Sequence, residues 1–128
     1  MTTLMQAVVW DGRTYPEGLE LRDFPRPKAK PGWVVIENKA AGICGSDLHY
    51  LLGTTRHLIP NSNLPAVLGH ENSGVVVEIG EGVAGFRVGD RVAAEPLHGC
   101  LELGRPPCPM CRIGQYQRCP NLTLVGVP

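Results

Sequence analysis

The chain has 128 residues, with twelve basic side chains against twelve acidic ones, which leaves no electrostatic footprint for nucleic acid or an anionic membrane. That length predicts one domain, large enough for a core but short for a two-domain enzyme. Glycine and proline are abundant and aromatics make up only 5%, which points to a turn-rich β body rather than a helical bundle.

Met1 to Asp11 lacks the basic and apolar blocks of a secretory signal, and no run reaches bilayer length, so a soluble, cytoplasmic protein is expected. Met5 to Trp10 is a short apolar run closed by the turn pair Asp11-Gly12, and Leu19 to Phe24 alternates apolar with polar residues. Together they predict a first hairpin. Pro25, Pro27 and Pro31 remove backbone donors and predict an extended connector to Gly32. Trp33 to Ala40 reads as a strand that delivers Cys44 to the surface. Ser46 is the expected cap of a short helix running to about Leu52, with Gly53 as its stop. Thr54 to Pro65 is a polar, irregular loop in which His57 reads as a solvated residue. Asn72 to Ile79 is a second strand, with Val75, Val76 and Val77 expected to be buried on both faces or nearly so.

Gly80-Glu81-Gly82-Val83-Ala84-Gly85 has the spacing of a dinucleotide-binding fingerprint. That motif opens a long helix, whereas here only Phe86-Arg87-Val88 stands before Gly89-Asp90 and a strand at Arg91 to Ala94, so the glycines read as turn residues.

Five cysteines divide as Cys44 alone and then Cys100, Cys108, Cys111 and Cys119. Without a secretory signal, clustered cysteines are more often metal ligands than disulfides. The proline-stiffened loops around the later group cannot bury much apolar surface, and four thiolates about a zinc ion would hold them. A Cys108-x-x-Cys111 redox pair is the rival, weakened because no long helix follows Cys108 to depress its pKa. Either Cys100 reaches across Leu101 to Pro107 to complete the set, or it is a bystander. The first is preferred, because three thiolates alone would hold the ion weakly. His98 is an outside candidate and reads better as a loop residue.

Cys44 and His70 are donors of the type zinc favours, and Glu71 could be a third. Ser46 and His49 are groups able to carry a proton from an alcohol oxygen to water. Asp47 is either a helix-start acid or the carboxylate that takes the second N–H of a metal-bound histidine, and it could serve both roles. Taken singly, Cys44 and His70 would read as ordinary core and loop residues. Their occurrence together with hydroxyl and acid at short spacing is the signal.

The segments Gly42-Ile43-Cys44-Gly45-Ser46-Asp47-Leu48-His49, Gly69-His70-Glu71 and Val88-Gly89-Asp90-Arg91-Val92, with the later cysteine run, resemble the amino-terminal, GroES-like part of the zinc-dependent medium-chain alcohol and polyol dehydrogenases. The resemblance covers nearly the whole chain. It implies a mainly β fold over residues 1–128, a GroES-like partly open β-barrel with short helices and a cysteine-rich zinc lobe at 95–121. It also implies two zinc sites: a catalytic one at Cys44, His70 and Glu71, and a structural one at Cys100, Cys108, Cys111 and Cys119. Ser46 and His49 match the family's proton relay and Asp47 its supporting acid. In the family the first structural ligand more often stands three residues before the second, where this chain has Arg105.

The implied reaction is reversible oxidation of an alcohol to an aldehyde or ketone, with zinc as Lewis acid and NAD or NADP as hydride acceptor. The nicotinamide-binding domain is expected beyond Pro128, so residues 1–128 are expected to be inactive alone. Glu71 and Glu95-Pro96 tilt the resemblance toward the polyol, sorbitol and butanediol branch. A small alcohol or polyol is the expected partner, without nucleic acid or membrane, and homo-oligomer formation belongs to the full-length parent. The alternative is a stand-alone zinc-binding module, structural or interacting, without catalysis.

Overall fold

A computed structural model describes residues 3–59 and 61–124. Met1, Thr2 and residues 125–128, counted above in the domain, and Pro60, counted in the polar loop, lie outside the described residues. The strands form three small antiparallel sheets. β1 (Leu4–Trp10) and β2 (Leu19–Pro25) make the expected hairpin, in register from Leu4 opposite Pro25 to Trp10 opposite Leu19. The central sheet has the order β3 (Val34–Gly42), β4 (Glu71–Ile79), β5 (Arg91–Ala93). β6 (Leu97–His98) pairs with β7 (Thr123–Leu124) beside the cysteine lobe. Two short α-helices, α1 (Gly45–Leu51) and α2 (Pro109–Arg112), and three single-turn 3-10 helices at Arg56–Leu58, Asn61–Asn63 and Tyr116–Arg118 complete the described set, and the sheets do not close into a barrel among the described residues.

Two sequence expectations need correction. The cap position before α1 is held by Cys44, extended at φ −78° and ψ 154°, rather than by Ser46. The chain leaves β3 already aimed into the helix, and the Asp47 carboxylate, in the first turn, accepts the Cys44 backbone N–H at 2.9 Å. An acid there satisfies an orphan donor and suits the helix dipole at once. Val75 and Val77 are half-buried, and only Val76 of the three is fully enclosed. The period of two decides this: Gly74 and Val76 face inward, and their neighbours point to the less covered side of an antiparallel sheet.

The glycine-rich segment at 80–85 forms the turn between β4 and β5, with Gly82 at φ 78° and Gly85 at φ 83°. These are left-handed conformations in which a side chain would be strained. No helix follows, so the backbone N–H groups do not converge as a phosphate cradle requires.

Trp10 joins the amino-terminal hairpin to α1 and to the segment before β4. Its side chain is 0% exposed. The indole N–H donates to the Arg13 carbonyl at 2.7 Å, which satisfies the one polar atom that burial would otherwise orphan. Its backbone exchanges two hydrogen bonds with Ala66, at 2.8 and 2.9 Å, in the segment leading to His70. Its ring lies 6.1 Å from that of Tyr50 on α1. Trp10→Ala should therefore cost roughly 3–5 kcal/mol, the usual loss for truncating an enclosed aromatic residue. Guanidinium denaturation measures it, and a loss within the range of a surface substitution would remove Trp10 from the core.

Candidate metal centre

The antiparallel pairing of β3 with β4 ends at Ala41 opposite Asn72 and Gly42 opposite Glu71. Cys44 follows one strand and His70 precedes the other, so the ladder brings two distant segments to one point. One donor atom each from Cys44, His70 and Glu71 lies within 4.8 Å of the others. Cys44 is half-buried, His70 buried and Glu71 exposed, which gives the group a dry side and a wet one.

Asp47 is buried behind this group. One of its oxygens holds the Cys44 backbone, and the other, Oδ1, lies 3.6 Å from His70 Nδ1. Both of these facing atoms are enclosed and have no hydrogen-bond partner. A slight inward movement would satisfy the two together, with Nδ1–H donating to the carboxylate and the Nε2 lone pair left for a cation. Ser46 Oγ stands 3.5 Å from that Nε2. A sulfur, an imidazole and a carboxylate converging in front of an orphaned acid–imidazole pair fit a zinc ion with part of its shell left open.

His49 is exposed. Its Nδ1 lies 3.0 Å from Thr54 Oγ1, and the Thr54 hydroxyl donates to the His49 carbonyl at 3.0 Å. With that hydroxyl proton engaged, the ring is the donor, so Nδ1 carries the hydrogen. Among the described residues no hydrogen bond joins Ser46 to His49. Sequence reasoning passed over Tyr50, whose phenol is pushed up by burial and then by the nearby Asp47 and Cys44 charges. Its position one residue after His49, within the same helix, was the available clue.

The second group is Cys100, Cys108, Cys111 and Cys119, whose sulfurs also fall within 4.8 Å of one another. Cys100 does reach across the intervening loop. Arg105 N–H donates to the Cys100 carbonyl at 2.8 Å and Leu103 N–H to the Gly99 carbonyl at 3.2 Å, which turns Leu101–Gly104 back on itself. The Glu102 carboxylate accepts the Gly99 N–H at 2.9 Å and closes the start of the turn. Cys108 and Cys111 bracket the first turn of α2. Backbone N–H groups of Cys100, Cys111 and Asn121, and the Asn121 side-chain amide, donate to the sulfurs at 3.3–3.5 Å.

These donors favour thiolate, and the neighbouring sulfurs divide: they help to lower Cys100 and they raise Cys111. The Asn121 amide leads in holding Cys100 down at about 6. Cys111, although its sulfur accepts the Cys100 N–H, is pushed up to about 12 by burial and the adjacent thiols. Cys119 is raised as well, first by burial. Sulfurs 3.5 Å (Cys100–Cys119) and 3.8 Å (Cys108–Cys119) apart cannot all ionise in a dry pocket without a cation, and a dication is what would bring the remaining protons off. His98 takes no part. It lies in β6, not a loop, with its ring edge-on to Trp33 at 5.2 Å. His57 is exposed, in keeping with a solvated position. A groove of about 760 Å³ lined by Trp33, Val83, Phe86, Val92, Glu95 and His98 contains no residue of either donor group.

The family model described as "Alcohol dehydrogenase GroES-like domain" matches residues 30–127. (R,R)-butanediol dehydrogenase of Bacillus subtilis is 42% identical over 100 residues, covering 73% of this chain and 28% of that protein. Sorbitol dehydrogenase of Arabidopsis thaliana is 41% identical over 110 residues, covering 86% of this chain and 29% of that protein. Among solved structures, a cobalt- and zinc-bound thermostable alcohol dehydrogenase from Pyrobaculum aerophilum superposes with a TM-score of 0.81 at 29% identity, covering 98% of this chain and 36% of that one. The chain thus spans about a third or less of the length of these relatives.

The closeness of Cys100 to the other sulfurs gives a direct test of its membership. Cys100→Ser should weaken zinc retention at this lobe by about tenfold or more, since loss of a mere supporting residue already costs 10–100-fold. It should also lower the thermal unfolding midpoint, because binding energy at such a site is folding energy. Thermal unfolding with and without excess zinc measures both, and a variant indistinguishable from the parent would exclude Cys100 from the ligand set.

Proposed function

The chain belongs to the alcohol dehydrogenase GroES-like domain family, and from that premise we propose that residues 1–128 are the zinc-bearing catalytic domain of an NAD- or NADP-dependent alcohol or polyol dehydrogenase. The observation that carries the reading is the pair of donor groups, one of mixed chemistry beside a buried acid and one of four sulfurs. The first suits an open, catalytic zinc site and the second a closed, structural one. The butanediol and sorbitol dehydrogenases among the relatives support a small alcohol or polyol substrate.

In this reading Cys44, His70 and Glu71 hold the catalytic zinc, and Cys100, Cys108, Cys111 and Cys119 hold the structural one. The bound ion supplies a Lewis acid that makes an alcohol hydroxyl easier to deprotonate. The rest falls to the chain itself. Asp47 fixes the His70 ring and, through the Cys44 N–H, the start of α1. Ser46, beside His70 Nε2, accepts the proton of the substrate hydroxyl as it passes its own hydroxyl proton onward. His49 is the solvent end of the route, exposed and anchored on Thr54. Because no hydrogen bond links Ser46 to His49, the proton needs an intervening hydroxyl or water to pass between them. The five thiols, all unpaired, support a reducing, cytoplasmic setting. No helix among the described residues is long and apolar enough to cross a membrane.

Native mass spectrometry with chelator titration tests the metal assignment. Two zinc ions are expected per chain, the one at Cys44 leaving first because its shell is partly open and Glu71 is exposed. Loss of both together, or a single ion throughout, contradicts the proposal and favours a zinc module without catalysis. In the full-length enzyme His49→Ala should slow polyol oxidation more at acid than at alkaline pH, where hydroxide can accept the proton directly. A uniform loss across the pH profile would take His49 out of the relay.

A further inference from the structure

We infer that Gly42 is a positioning residue for Glu71, keeping open the space in which the Glu71 carboxylate turns toward Cys44 and His70. The inference rests on the metal reading for its consequence, and on geometry for its substance. Gly42 and Glu71 are direct cross-strand partners at the last rung of the β3–β4 ladder. Partners in that relation project their side chains from the same face of the sheet, with Cβ atoms normally about 4.5–5.5 Å apart.

Here a side chain on Gly42 would be nearer to Glu71 than that. A Cβ placed on Gly42 would stand 3.0 Å from Glu71 Cβ and 3.2 Å from its Cδ, and would overlap Oε2. All three of its nearest neighbours belong to Glu71, so the Glu71 side chain is what occupies the space directly at Gly42. Gly42 has no left-handed φ, which removes the usual backbone reason for a glycine in a strand. What remains is close approach: the carboxylate folds across the bare α-carbon, and that path carries it to within 4.8 Å of the Cys44 sulfur and the His70 ring.

A methyl group at Gly42 leaves the backbone ladder possible but forces the Glu71 side chain to swing away. The site would then keep sulfur and imidazole and lose its exposed carboxylate. The four-sulfur lobe shares no residue with this rung and should be unaffected.

The test is a four-way comparison in the full chain: parent, Gly42→Ala, Glu71→Gly and the double variant. Cobalt(II) affinity at the Cys44 site is read by absorption, with retention of metal at the sulfur lobe as the internal control. Gly42→Ala should weaken cobalt binding at the Cys44 site by about tenfold and leave the lobe unchanged. Adding Gly42→Ala to Glu71→Gly should change affinity less than twofold, since the carboxylate through which Gly42 acts is gone. An equal loss in both backgrounds would overturn the inference, as would no loss in either. A metal-free readout separates this from the metal assignment. In the apo parent, NMR contacts between Glu71 Hγ and Cys44 Hβ should be present, and in Gly42→Ala they should disappear. If the parent takes up no cobalt at Cys44 the metal reading fails, and these contacts alone decide the role of Gly42. Should Gly42→Ala not fold, the double variant settles it: a folded double variant supports the inference, and an unfolded one shows that the glycine serves the backbone instead.

Discussion

The pairing of β3 with β4 is the constraint on which everything else at the first donor group depends. Its register runs from Val34 opposite Ile79 to Gly42 opposite Glu71, with two irregularities, between Val35 and Ile36 and between Asn38 and Ala40. Because side chains alternate faces, a slip of one residue would carry Glu71 to the opposite face of the sheet and move His70 along the strand away from Cys44. The inward set formed by Val35, Gly74 and Val76 opposes such a slip, since it would trade buried for exposed positions. Core packing at one end of the ladder thus specifies geometry at the other, and the exposed second half of β3, Glu37 to Gly42, is shaped by its partner more than by burial.

The cysteine lobe obeys a different rule. Cys100, Cys111 and Cys119 are enclosed, and the partly buried residues packed on them are few: Cys108, Tyr116 and Leu122. Leu101 and Ile113 point outward. Such a segment has too little apolar area to offset the entropy of ordering its loops. Its order comes from backbone turns and from N–H groups aimed at sulfur, an arrangement that would suit thiolates once a cation offsets their charge.

Much of this was legible in the sequence because the signals were local. The alternation in Leu19 to Phe24, the one-plus-four division of the cysteines and the short gap between Gly85 and Gly89 each depend on neighbours along the chain. What escaped depended on neighbours in space. Ser46 has the composition of a cap, but the strand before it already ends extended at Cys44, so the cap moves back and the Ser46 hydroxyl turns to His70 instead. Three consecutive valines read as doubly covered, yet coverage is a property of what packs on each face, and only the face bearing Val76 is sealed. The long gap before Cys108 looked like a departure in spacing. The turn at Leu101–Gly104 absorbs it, and that turn rests on the Cys100 and Gly99 carbonyls and on Glu102, which spacing alone does not reveal. Gly42 was visible only as one letter of a motif; its reason lies on the opposite strand.

The sparse apolar content of the cysteine lobe also shapes how its stability responds to temperature. Heat capacity of unfolding arises chiefly from hydrating apolar surface, and the lobe would hydrate little. Its stability curve should therefore be nearly straight, without the broad maximum of the Trp10 region, and cooling should weaken the two parts unequally. The central body loses hydrophobic driving force in the cold, while a lobe held by a metal, as proposed, would answer to thiolate protonation and free-metal activity. Buffer acidity and metal supply, more than temperature, would thus decide whether the segment from Cys100 to Cys119 stays ordered.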